Sequence, residues 1–155
     1  MNNRYSFYGL RRSGNHAILE WLIQNMGGSG ERKIIRPRRI ISVNNASYIN
    51  EANTLRSENV LEEHINFGSK MFDTIIVSYE DVPINFVSKP TSNYKKIVIV
   101  RDIENLLASR FKHGAMRIDE SSIELWKSHV KSGLNGEAFL ILFEIFLILL
   151  KITFK

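Results

Sequence analysis

Apolar and polar positions alternate in short blocks along the first part of the chain. Tyr5 to Leu10 is aromatic-rich and too short for a helix, which predicts a buried strand. Arg11 to Asn15 is a polar turn containing Gly14. Ala17, Ile18, Trp21, Leu22 and Met26 then recur at helical spacing, predicting a helix over 15–26 that stops at the glycines from Gly27 to Gly30. Strand, glycine turn and helix in this order open an α/β fold.

The middle of the chain carries weaker signals. Arg39–Val43 reads as a short strand and Val60–Phe67 as a short helix, whereas Asn44–Arg56 is polar and predicts no element. Phe72–Tyr79 and Lys96–Val100 are β-branched runs without helical periodicity, suited to central strands of a parallel sheet covered on both faces. Asp102 can cap a helix carrying Leu106, Leu107, Arg110 and Phe111. A further helix is predicted from Ser121, with Glu124 completing a capping box and Ile123, Trp126 and Val130 on one face. Together these blocks predict a three-layer α/β domain with a mostly parallel central sheet and a P-loop-like strand–loop–helix start.

From Ala138 to Phe154 the pattern changes to AFLILFEIFLILLKITF, which as a helix would be apolar all round. It is slightly short for a membrane span of about 20 residues, and Glu144 lies near its middle. Truncation or a frame change, a helix buried against the sheet, and a tail anchor are three accounts of this run, and truncation is favoured. The expected organisation is a partial domain over residues 1–136 and a hydrophobic tail over 137–155, partly exposed and prone to self-association, with membrane contact disfavoured.

The length of 155 residues suits one domain, and 44% hydrophobic with 24% charged residues is globular composition. The absence of cysteine excludes disulfides, thiolate metal sites and a cysteine nucleophile, and accords with a reducing, cytoplasmic setting. A net charge of +5 suits a polyanionic ligand. Arg36-Pro37-Arg38-Arg39 with Lys33 forms a basic cluster best read as a solvated loop. No aromatics interleave with it, so no nucleic-acid partner is expected. Trp21 and Trp126 read as core anchors.

The candidate chemistry lies in Gly9-Leu10-Arg11-Arg12-Ser13-Gly14-Asn15-His16. A glycine turn between strand and helix presents backbone N–H groups to anions, and two arginines and a serine add to them. Gly9 and Gly14 keep the separation of the loop G-x-x-x-x-G-K-[ST], but Asn15 stands at its lysine and His16 at its magnesium-binding hydroxyl. Taken alone, the loop suits an anion cradle and an ordinary turn equally. A second segment follows the Lys96–Val100 strand. Arg101 would emerge at the strand's carboxyl end, where open α/β sheets bind ligands, and Ser109 lies two helical turns on.

The two segments together resemble the sulfotransferase family that uses 3'-phosphoadenosine 5'-phosphosulfate. Arg12-Ser13-Gly14 matches that family's [KR]-[ST]-G-[ST] loop for the 5'-phosphosulfate, with Asn15 and His16 where hydroxyl residues are usual. Arg101 and Ser109 reproduce the spacing of its arginine and serine for the 3'-phosphate. The likeness covers residues 4–26 and 96–113, and typical members extend further at the C-terminus.

The resemblance implies donor contacts from Arg11, Arg12, Ser13, Gly14, Asn15, His16, Arg101 and Ser109. It also implies transfer without a metal to a hydroxyl or amine acceptor such as a carbohydrate, and a His or Glu as general base. Glu80 and Asp81 are the first candidates for the base, with His64 and His16 behind them. A non-catalytic anion- or nucleotide-binding domain is the alternative.

Overall fold

The computed structural model describes residues 3–27, 30–35, 40–43, 45–52, 58–86, 88–112 and 119–146. Their strands are β1 (Asn3–Gly9), β2 (Lys33–Ile35), β3 (Ile40–Val43), β4 (Ala46–Ala52), β5 (Thr74–Glu80), β6 (Lys95–Val100) and β7 (Phe139–Leu142). The helices are α1 (Asn15–Gly27), α2 (Glu58–Ser69), α3 (Ile103–Lys112) and α4 (Glu120–Leu134). All seven strands join one sheet in the order β2-β3-β4-β5-β1-β6-β7. Pairing is parallel from β4 through β7 and antiparallel only at β2–β3 and β3–β4. This is the mostly parallel α/β architecture that the alternating blocks predict.

The central strands carry apolar residues at successive positions because both of their faces are covered. On β1, Phe7 packs with Ile18, Leu19 and Ile23 of α1, while the next residue, Tyr8, belongs to the opposite cluster with Leu61 and Ile65 of α2. Ile97 and Ile99 of β6 face the first cluster, and Val98 and Val100 face the second, with Trp126 and Val130 of α4. A period of two with apolar residues at both phases is what a strand between two helical layers requires. Trp21 lies edge-on to Phe146 at 5.2 Å, and both tryptophans anchor the core as expected.

The topology places the ligand edge. From β1 the chain leaves by α1 toward β2 on one side; from β6 it leaves by α3 and α4 toward β7 on the other. Because β1 and β6 are neighbours, the sheet has its switch point between them, and the crevice there opens at the carboxyl ends. In register, Gly9 lies beside Glu80 of β5 and Ile99 of β6, so the loops after these strands emerge together.

Three expectations change. Residues 46–52, too polar to predict an element, form β4, held by pairing with β3 and β5 that local composition does not signal. The cap of α4 is Asp119, whose carboxylate accepts from the Ser122 amide at 2.9 Å, and Glu124 instead pairs with Lys127.

The hydrophobic run is the third change. It begins as a strand and not as a helix: β7 pairs in parallel with β6 from Phe139 beside Ile97 to Leu142 beside Val100. The open edge of β6 satisfies backbone groups and partly buries Leu140 and Ile141, which outweighs any helical preference of the run. The sheet therefore continues past Gly136, whose φ of 76° makes the turn between α4 and β7. A helical turn follows at 143–146, and the rest of the run lies outside the described residues, as does the Arg36–Arg39 part of the basic cluster. Phe139, Leu142 and Ile145 remain exposed. Among the described residues, no helix is long and apolar enough to cross a membrane.

Candidate functional site

The loop after β1 is shaped by two left-handed residues. The Ser13 amide donates to Leu10 O at 3.0 Å, closing a tight turn with Arg12 at φ 74° and Gly14 at φ 82°. Glycine is needed at the second position on two counts. Its φ disfavours a side chain, and a Cβ there would run into the Phe143 ring. The Ile18 amide donates to Gly14 O at 3.2 Å, so α1 starts here, and its first-turn amides lack intrahelical acceptors. They carry the positive end of the helix dipole.

Beside this start lies an open cleft of about 270 Å³. Arg12, Gly14, Asn15 and His16 line it from the first loop; Arg101 and Ser109 line it from β6 and α3, and Glu80 from the end of β5. Arg12 Nε donates to Ser109 Oγ at 3.3 Å, and Arg101 Nη1 donates to Arg12 O at 2.7 Å. The two segments that carry the resemblance thus meet at one cleft. Around Arg101, Trp126 Nε1 donates to its carbonyl at 2.9 Å, and its guanidinium lies 5.1 Å from the centre of the Phe143 ring. Asp102 caps α3 as expected, accepting from the Asn105 amide at 2.9 Å, while its own amide donates to Glu144 Oε1 at 3.0 Å.

The carboxylates after β5 have separate surroundings. Glu80 is buried: its Oε1 accepts from Asn15 Nδ2 at 3.0 Å and has His16 Nε2 at 3.9 Å, and Arg11 Nε lies 3.9 Å from its Oε2. Asn15 also donates to Leu10 O at 3.2 Å. Asp81 accepts from the Arg11 amide at 3.0 Å, has Arg11 Nε at 3.5 Å, and forms a close ion pair with Arg110 Nη2. These contacts make Asp81 a structural anion and not an available base. Arg110 is itself 4% exposed and also donates to Arg11 O at 3.3 Å and to Ser122 Oγ at 3.2 Å.

Two expected donor contacts are not on the cleft wall. The Arg11 side chain turns to Asp81 and Glu80, and Ser13 is buried with no hydrogen-bond partner for its hydroxyl among the described residues. His64 does not line the cleft either; it is buried on α2 beside Leu61 and Ile65, although its acidic neighbours Glu62 and Glu63 suggested a surface position. Sequence reasoning missed Arg110 as a structural residue of the site. Its signal was a charge four residues after Leu106, on the same buried helix face.

No family model matches the chain, and no curated protein or solved structure is significantly similar to it.

Proposed function

We propose that the cleft at the β1–β6 switch point binds 3'-phosphoadenosine 5'-phosphosulfate, and that the chain transfers its sulfuryl group to a hydroxyl or amine acceptor. The observation that carries the reading is the convergence of Arg12, the α1 N-terminus, Arg101 and Ser109 on one cleft from two separate loops. In this reading the acceptor oxygen or nitrogen attacks sulfur as the bond from sulfur to the bridging phosphate oxygen breaks. Adenosine 3',5'-bisphosphate leaves, and the acceptor's proton passes to a general base. Arg12 and the first-turn amides stabilise charge on the bridging oxygen and the 5'-phosphate. Arg101 and Ser109 hold the 3'-phosphate. Glu80 is the candidate base, with His16 beside it at the cleft. The transfer needs no metal or nucleic-acid partner.

One observation favours a second reading, a nucleotide- or anion-binding domain without transfer. Glu80 is buried and already accepts from Asn15, as a structural carboxylate does. Calorimetry with adenosine 3',5'-bisphosphate, compared with ATP plus magnesium, tests the common part: metal-independent preference for the bisphosphate is expected, and preference for ATP overturns it. Binding without sulfuryl transfer to any acceptor in a panel of alcohols, amines and carbohydrates selects the second reading.

A further inference from the structure

The residues following β7 are assigned no part in the cleft by the reading above, yet they touch both of its loops. The Phe143 ring fills the space a Cβ on Gly14 would take, excluding any side chain there, and its centre lies 5.1 Å from the Arg101 guanidinium. The next residue, Glu144, accepts from the Asp102 amide at 3.0 Å. Arg101 in turn donates to the carbonyl of Arg12 at 2.7 Å. A single helical turn at 143–146 therefore contacts the first loop at Gly14, the second loop at Asp102, and the arginine that bridges them.

We propose that Phe143 and Glu144 are positioning residues of the cleft: Phe143 sets the Gly14 turn and the Arg101 guanidinium, and Glu144 sets the backbone entering α3. The ring face holds a cation whose own hydrogen bond fixes the Arg12 carbonyl, so the left-handed backbone at Arg12 and Gly14 is kept in one form. The carboxylate occupies the amide next to Arg101 and so constrains where that side chain starts. Neither residue lines the cleft. Their effect on an anion is transmitted through Gly14 and Arg101. The consequence for ligand affinity rests on the reading of the cleft as an anion site; the consequence for loop geometry does not.

The test uses the full chain and the variants Phe143→Leu, which keeps apolar volume without a ring face, and Phe143→Tyr, which keeps the ring; Glu144→Ala is the third. Backbone and arginine-side-chain NMR of the ligand-free proteins reads the Gly14 amide, the Asp102 amide and Arg101 Nε. Calorimetry reads affinity for adenosine 3',5'-bisphosphate. Phe143→Leu should shift the Gly14 and Arg101 signals and weaken binding about three- to tenfold, while Phe143→Tyr restores both. Glu144→Ala should move the Asp102 amide and speed its hydrogen exchange. If the wild type does not bind the bisphosphate but the signals move and are restored as described, the donor reading fails and the positioning role stands. Gly14 and Arg101 signals that are unchanged in Phe143→Leu, or equally disturbed in Phe143→Tyr, overturn the proposal.

Discussion

The side-chain amide of Asn15 donates to Glu80 Oε1 at 3.0 Å, joining the start of α1 to the end of β5 across 65 residues of chain. Asn15 stands at the lysine position of a nucleotide-triphosphate loop, but its nitrogen is spent on Glu80 and Leu10 inside the protein. Removing it leaves a buried carboxylate short of a donor, and hydrogen bonds to charged groups contribute about 1.5–3 kcal/mol. Asn15→Leu should therefore lower stability by about 2 kcal/mol, read as a reduced urea midpoint at unchanged slope.

Glu80→Gln separates structure from catalysis. The glutamine oxygen can still accept from Asn15, so stability should change by less than about 1 kcal/mol. A general base would lose its proton-accepting function, with turnover falling about a hundredfold or more. Undiminished turnover removes Glu80 as the base.

The Arg110–Asp81 pair joins α3 to the turn after β5, and Arg110 sits at 4% exposure. Removing one partner of a buried pair strands the other, at a cost of about 3–5 kcal/mol. Asp81→Asn, which strands the buried Arg110, should destabilise by an amount approaching that range, and Arg110→Met by less because Asp81 keeps Arg11 Nε at 3.5 Å; asparagine also tolerates the φ of 54° at position 81. The double variant should lose less than the sum, and additive losses in urea unfolding would show that the two residues act independently.

Arg12 and Arg101 should separate in their effects on the nucleotide. Arg101→Ala should lose about ten- to a hundredfold in preference for 3'-phosphorylated over plain adenosine nucleotides, measured by competition calorimetry. Arg12→Ala should reduce turnover more than donor affinity if its charge acts mainly in the transition state. Equal losses in both would restrict Arg12 to binding.

His129 gives the fold a pH dependence. It is fully buried, its Nε2 donates to Val82 O at 2.9 Å, and burial pushes its pKa below the usual 6.5, partly opposed by that carbonyl and by Asp81. With the folded value below the unfolded one, the unfolded chain binds more protons between them. This contribution to stability is complete above about pH 6.5 and is lost as pH falls from there through the folded value. Urea unfolding from pH 7.5 to 5 should show this slope, and His129→Gln, which keeps a donor for Val82, should reduce it.

The order of elements was legible wherever local pattern and tertiary demand agreed. Phe7 and Tyr8, or Ile97 and Val98, are apolar at successive positions because helices cover both sheet faces, and that pattern is written into the strand itself. Arg12, Gly14, Arg101 and Ser109 were legible as candidates because strand–turn–helix junctions in α/β sheets project to one edge. Residues 46–52 were not legible, since Tyr48 and Ile49 sit among polar neighbours and only pairing with β3 and β5 makes them a strand.

The sequence by itself determined most of the alternation of strands and helices and the glycine turn before α1, because these depend on local periodicity and backbone preference, and it fixed which side chains the two loops carry. Tertiary structure decided what each group faces. It turned Arg11 inward to Asp81, placed Asn15 on Glu80, buried Arg110 and His129, and made a strand of Phe139–Leu142. Each of these outcomes depends on a partner distant in the chain: the open edge of β6 for the hydrophobic run, and for the others a hydrogen-bonding or oppositely charged group brought near by the fold. Local pattern records which side chains a segment has; only the packed fold brings their partners within a few ångströms, where burial and pairing set their roles.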